Sequence, residues 1–293
     1  MPITPPYSTK VKTLVSLLVV LLVIDVAHVS AQERQDRWEN YFGAGMRALN
    51  AGDLAKAELL FKASRLKAEL EQEAGHPKAL DMRLDSNNAI SVVLRARGKS
   101  LEAEEVLREQ LELLTASKRP ESDPHFSMTL HNLGLVLFDQ EKYEDARKVL
   151  ERAVDLRRKH DAEPQRNVAV SLISLGGTYF HQQNIEQAEK VLSEARRILT
   201  EVPEDKKTGD DVAAVMRSDH NLALIYVSQK KYAEAEASYK RAIGTMEKLY
   251  GPHSRSLIMY LNNYASLLKI LKREPEAMDL EARIELIKKQ NAK

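Results

Sequence analysis

One short phrase recurs six times along this 293-residue chain, and no other feature restricts the possible folds as much. It consists of a polar turn, an alanine, and usually an apolar or aromatic residue four positions later. The copies read GDLAKAELLF (Gly52–Phe61), GKSLEAEEVL (Gly98–Leu107), EKYEDARKVL (Glu141–Leu150), QNIEQAEKVL (Gln183–Leu192), KKYAEAEASY (Lys230–Tyr239) and KREPEAMDLE (Lys272–Glu281). Their alanines, Ala57, Ala103, Ala146, Ala188, Ala235 and Ala277, stand 46, 43, 42, 47 and 42 residues apart. A period in this range signals a solenoid of stacked units.

Within a unit the apolar residues follow a helical period. In the third, Leu130, Leu133, Gly134 and Leu137 fall on one face of a first helix. Ala146, Val149, Leu150, Ala153 and Leu156 form the facing stripe of a second. Gly45, Gly134, Gly176, Ala223 and Ala265 each lie twelve residues before their unit's alanine. Small side chains on two facing helices let the backbones approach, and larger neighbours interlock around them. Gly75-His76-Pro77, Ser122-Asp123-Pro124, Glu163-Pro164 and Gly251-Pro252-His253 break helices between units. Two helices alone cannot bury so much apolar stripe, so the units must stack.

These residues resemble the tetratricopeptide repeat. The period near 42, the Lys142-Tyr143 and Lys231-Tyr232 turns, and the phrases Leu130-His131-Asn132-Leu133-Gly134 and Leu261-Asn262-Asn263-Tyr264-Ala265 are similar to the longer, kinesin-light-chain type. The resemblance runs from Arg37 to Lys289 and implies an all-α, right-handed superhelical solenoid of about six helix pairs. The second unit departs from the pattern at Ser91 and Leu94, and the last carries Glu281 at the aromatic position, which suits a polar terminal cap.

The N-terminus reads differently. Lys10 and Lys12 precede an eleven-residue apolar run, Leu14–Ile24, which Asp25 ends, and Val29-Ser30-Ala31 follows. A basic stretch, a short apolar run and a V-x-A site make a secretory signal peptide over 1–31. Cleavage there leaves residues 32–293 as the repeat array of an exported, periplasmic or secreted, protein. The alternative is an uncleaved anchor on a membrane-tethered, extracytoplasmic assembly factor. A span needs about 20 apolar residues, and extending this run would place Asp25 and His28 in lipid.

The chemistry of the chain points away from catalysis. No cysteine is present, which excludes disulfides, thiolate metal sites and a cysteine nucleophile. The 44 Lys and Arg against 43 Asp and Glu leave a net charge of only +1, no strong charge to attract nucleic acid or anionic lipid. No H-E-x-x-H, G-x-S-x-G or P-loop occurs, so no enzyme activity and no cofactor are expected. The carboxylate pairs Glu104–Glu105, Glu144–Asp145 and Asp210–Asp211 read as solvated. His131 and His220 hold equivalent places two units apart, roughly 20 Å at the spacing of stacked helices, so they cannot share a metal ion.

Asn132, Asn221 and Asn263 form a row, each two residues before the small residue, with Ser174 replacing the amide in the fourth unit and Asn88 one residue out of register. Asn is unfavourable inside a helix by about 0.6 kcal/mol relative to Ala, so propensity does not explain the row. A primary amide offers a donor and an acceptor, matching the peptide unit of an extended chain. Similar asparagines in the related repeats hold a bound peptide backbone; the other reading is that each amide bonds a neighbouring helix. Met128, Leu135, Phe138, Ile173, Phe180 and Leu224 give the surroundings an apolar character, and Arg95, Arg217 and Lys269 add positive charge. The expected site is therefore a groove for another protein or a peptide, lined by Asn132, Asn221, Asn263, His131, His220, Phe138, Phe180 and Arg217. No metal is expected there.

Overall fold

The computed structural model describes residues 37–160 and 165–290, which form twelve α-helices and a short 3-10 turn at Glu204–Lys206, with no strand among the described residues. The helices are α1 (Trp38–Asn50), α2 (Leu54–Glu73), α3 (Ala79–Ala96), α4 (Ser100–Ala116), α5 (Pro124–Asp139) and α6 (Tyr143–His160). They continue as α7 (Arg166–His181), α8 (Ile185–Thr200), α9 (Gly209–Ser228), α10 (Tyr232–Tyr250), α11 (Leu257–Ile270) and α12 (Glu274–Gln290). They make six pairs, with a first helix and a second helix in each. Two compact units result: one ends at Arg119 and holds α1–α4, the other begins at Pro120 and holds α5–α12. Residues 1–31, for which the sequence reading expects a signal peptide, and the Glu163-Pro164 break lie outside the described residues.

The helix ends follow from local chemistry. The Asp53 carboxylate accepts the Lys56 backbone N–H (3.0 Å) at the start of α2. Asp123 accepts from the His125 N–H (2.9 Å) ahead of Pro124, whose missing N–H is no loss in a first turn. Thr208 and Asp211 cap α9 reciprocally. The turn inside every pair is the same: Gly52, Gly98, Glu141, Gln183, Lys230 and Lys272, each five residues before its alanine, all have positive φ. The next residue's N–H returns to a carbonyl five residues back, as in Asp53→Ala48, Lys142→Leu137 and Lys231→Tyr226.

The contact between the helices of a pair is also repeated. The alanines Ala57, Ala103, Ala146, Ala188, Ala235 and Ala277 are all fully buried. The residue four later presses on the small residue of the first helix. A Cβ on Gly45 would sit 2.6 Å from the Phe61 ring, and one on Gly134 or Gly176 would overlap Leu150 or Leu192. Ala223 with Tyr239 and Ser91 with Leu107 are buried at the same places in their pairs.

Successive pairs within a unit are latched by carboxylates near the start of the second helix. In the first unit Glu58 takes Lys62 (2.5 Å) and Arg97 of the following pair. In the second unit Glu144 accepts from Gln182 (3.0 Å), Glu189 from Gln229 (2.7 Å), and Glu236 from Arg273 (2.7 Å). Tyrosine hydroxyls one pair ahead donate to Glu151 (Tyr179, 2.6 Å) and Glu236 (Tyr264, 2.9 Å). The guanidinium of Arg273, with Lys240, holds Glu236 down to about 2, and Arg147 does the same for Glu144.

Two expectations from sequence need correction here. Asp211 is not solvated: it is buried in its cap and lies 2.9 Å from Arg166. Glu144 is exposed, as expected, but it is a latch to the next pair rather than an idle surface charge.

Candidate functional site

In the second unit the first helices of the four pairs, α5, α7, α9 and α11, bury one side against their second helices and leave another side partly open. On α5 the open stripe is Met128, Asn132, Leu135 and Phe138, all half-buried, while Leu130, Leu133, Gly134 and Leu137 between them are buried. The matching positions on α7 are Val170, Ser174, Gly177 and Phe180, again half-buried. On α9 they are Arg217, exposed, followed by half-buried Asn221, Leu224 and Val227. On α11 they are Met259, Asn263, Ser266 and Lys269. The row of equivalent amides therefore lies on the open side, interrupted at Ser174.

The amides differ in what they do. Asn263 Nδ2 lies 3.4 Å from His220 Nε2, bridging α11 to α9. Asn132 is engaged within the fold as well. Asn221 makes no hydrogen bond among the described residues, so its donor and acceptor are open. Of the two readings of the row, helix-to-helix bonding describes Asn263, and an outward-facing amide describes Asn221.

His131 and His220 are displaced from the expected lining. Both are buried, with 8% and 6% exposure, because they sit one residue round the helix from the open stripe and point at the next pair. His131 Nδ1 lies 3.1 Å from Ser171 Oγ, which receives the Arg157 guanidinium (2.5 Å); Arg157 also donates to the Asn167 carbonyl (2.7 Å). His220 packs on Tyr260 (ring centroids 4.5 Å) and Tyr239 (5.9 Å), and its Nδ1 has no protein partner. Burial pushes His220 down to about 4. Ile173, at the equivalent place on α7, is likewise in the core rather than on the open side.

The two phenylalanines are brought together through His181. Phe138 meets the His181 ring edge-on at 5.0 Å and Phe180 meets it at 6.0 Å, while Tyr143 stacks on it at 4.9 Å. Phe138 extends toward Gly177, where an added Cβ would stand 3.9 Å from the ring, an ordinary contact. Arg217 is exposed and has no carboxylate partner among the described residues, and it lowers the otherwise burial-raised Tyr260 hydroxyl. Lys269, by contrast, is held by Glu281 at 2.5 Å. Among the described residues no three His, Asp or Glu side chains are grouped to hold a metal ion.

The family model described as tetratricopeptide repeat matches residues 82–159, 125–201 and 212–285, well over half of the chain. This chain belongs to the tetratricopeptide-repeat family. Solved structures agree on the fold. BtubC (BKLC) from P. vanneervenii is 17% identical with a TM-score of 0.66, over 82% of this chain and 92% of that one. A Podospora anserina kinesin light chain with nearly identical repeats is 18% identical with a TM-score of 0.58, over 72% and 96%. A Rap protein complexed with competence and sporulation factor is 16% identical with a TM-score of 0.61, over 87% and 76%. Among curated proteins none matches.

As a tetratricopeptide-repeat protein the chain is of the protein-interaction class, which the open stripe suits: amides, apolar side chains and one unpaired guanidinium on adjacent helices. Sequence reasoning missed the latching carboxylates. Their signal was present: Glu58, Glu189 and Glu236 each follow a repeat alanine directly, a recurrence that solvation alone does not require.

Proposed function

We propose that the protein is an exported, non-enzymatic scaffold that holds a segment of another protein along the open side of α7, α9 and α11. The observation that carries this reading is Asn221, whose free amide is centred between exposed Arg217 and half-buried Leu224 on one helix face. An extended backbone passing there would satisfy the amide donor and acceptor, Leu224 and Val227 would take an apolar side chain, and Arg217 would favour an acidic one. Export rests on the basic stretch, short apolar run and V-x-A site of residues 1–31. Among the described residues no helix is long and apolar enough to cross a membrane.

A photo-crosslinking residue at Leu224, compared with one at Lys148 on a second helix, tests the groove in the native host. The reading expects a protein adduct from position 224 alone, lost with Asn221→Ala and weakened by Arg217→Ala while helicity is unchanged. Adducts that ignore both substitutions would sink it. N-terminal sequencing of the mature protein tests export: an end at Gln32 supports cleavage, and an intact Met1 end in membranes supports the tethered alternative.

A further inference from the structure

The asparagine row and a buried histidine meet between α9 and α11. Asn263, on the open side of α11, directs its Nδ2 at His220 Nε2, 3.4 Å away. Its Oδ1 accepts no hydrogen bond within the fold and is not shut away from solvent, so the carbonyl end of the amide is the end turned to the open side. The α5–α7 junction is wired otherwise. Ser174 stands in the row there and donates its hydroxyl to the Val170 carbonyl (3.3 Å), while His131 lies against Ser171 and, through it, the Arg157 guanidinium.

A ring nitrogen that receives an N–H must be unprotonated, so neutral His220 carries its proton on Nδ1, which has no protein partner. A second proton can enter only at Nε2, where it turns an acceptor into a donor. Nε2–H and Nδ2–H would then face each other. A half-turn about the Cβ–Cγ bond of Asn263 relieves this without moving backbone: Oδ1 comes to the ring and the NH2 swings outward. That torsion is broad and two-fold, so both orientations are ordinary ones. The ring's other neighbours are Tyr239 of α10 and Tyr260 of α11, with Tyr264 stacked on Tyr239. On α9 itself Arg217 stands one turn earlier and acts on the Tyr260 hydroxyl, and Asp219 is already held by Arg196 of α8 and Arg241 of α10. Burial is what pushes the ring down to about 4.

We propose that His220 and Asn263 form a proton switch: with the histidine neutral the amide presents its carbonyl oxygen to the open side, and with it protonated, its NH2. The consequence for a partner rests on the groove reading above: a backbone N–H accepted here in neutral solution is refused in acid, and binding weakens as the ring takes up its proton. Nuclear magnetic resonance of the free, isotope-labelled chain tests the switch without a partner, so its failure is separable from failure of the groove reading. At neutral pH the His220 proton should reside on Nδ1, with through-space contacts between the Asn263 NH2 and the ring. On acidification those contacts should vanish, and the Asn263 amide signals should move with the same midpoint as the ring nitrogens. Asn263→Asp leaves only acceptors at the ring, so the His220 midpoint should rise by about one unit or more with circular dichroism unchanged. A proton on Nε2 at neutral pH overturns the proposal, as do amide signals that ignore the ring's titration or a midpoint unmoved in Asn263→Asp. So does global unfolding before the ring titrates, since the amide would then never turn in the native chain.

Discussion

His131 and His220 hold the same position in two pairs of the second unit, yet the junctions around them are built differently. At α5–α7 the histidine joins a polar chain that ends on Arg157 and a backbone carbonyl. At α9–α11 it sits between Tyr239 and Tyr260 with one ring nitrogen unpartnered. The contact inside the first five pairs shows no such variety: a small residue faces a bulky apolar or aromatic one beside a buried alanine, and only the last pair departs, with Glu281 at the bulky position. The difference teaches that the repeat unit is defined by its internal contact, while each junction between pairs is solved individually.

The internal contact should therefore be the less forgiving of the two. Gly134→Val places a branched side chain against Leu150, where even a Cβ overlaps. We expect a loss of about 3–4 kcal/mol by urea unfolding, with Leu150→Ala recovering part of it in the double variant. A loss below that of the junction variants described next would break the comparison.

Acid should act first at the α9–α11 junction. Burial lowers His220 from 6.5 to about 4, so between those values the unfolded chain takes up a proton that the native chain resists. This contribution is intact above pH 6.5 and is lost as the pH falls to 4, about 3 kcal/mol over the interval. His220→Ile copies the residue found at the equivalent Ile173, and its stability between pH 6.5 and 4 should be flatter than wild type. An unchanged acid limb would place the sensitivity elsewhere. At the α5–α7 junction, Arg157→Met removes the donor shared by Ser171 and the Asn167 carbonyl, and we expect a loss of about 2 kcal/mol with little change in acid sensitivity.

This asymmetry also explains what the sequence made legible. The internal contact is written in residue identity at fixed spacing, so Gly134 with Leu150 or Ala223 with Tyr239 can be read directly, and with them the helix pairs. Junction contacts depend on small rotations of one helix against the next. One residue of rotation moves His131 and His220 from the open stripe into the core, and Asn221 and Asn263 share a position while only Asn263 meets a neighbour. A period of 3.6 fixes a face to within about one residue, which is too coarse to separate a groove residue from its buried neighbour. The latches were obscured because Glu144 and Glu236 look like ordinary surface charge until the next pair supplies Gln182 or Arg273.

The turns offer the smallest effect and the cleanest one, because only backbone conformation changes. All six within-pair turns need a left-handed residue, and the first two have glycine there, Gly52 and Gly98. The other four hold Glu141, Gln183, Lys230 and Lys272 at φ of 59–61°. A Cβ in that region is unfavourable by roughly 1–2 kcal/mol, offset in part because glycine loses more freedom on folding. Lys230→Gly should therefore stabilise the second unit by about 0.5 kcal/mol. Gly98→Ala should destabilise the first by about 1 kcal/mol, although its Cβ would meet nothing within 4 Å. Both are read as shifts of the denaturant midpoint at constant slope. If Lys230→Gly lowers the midpoint, the turns are shaped by side-chain contacts after all, and the uniformity ascribed to the internal contact of each pair would not extend to the turn that closes it.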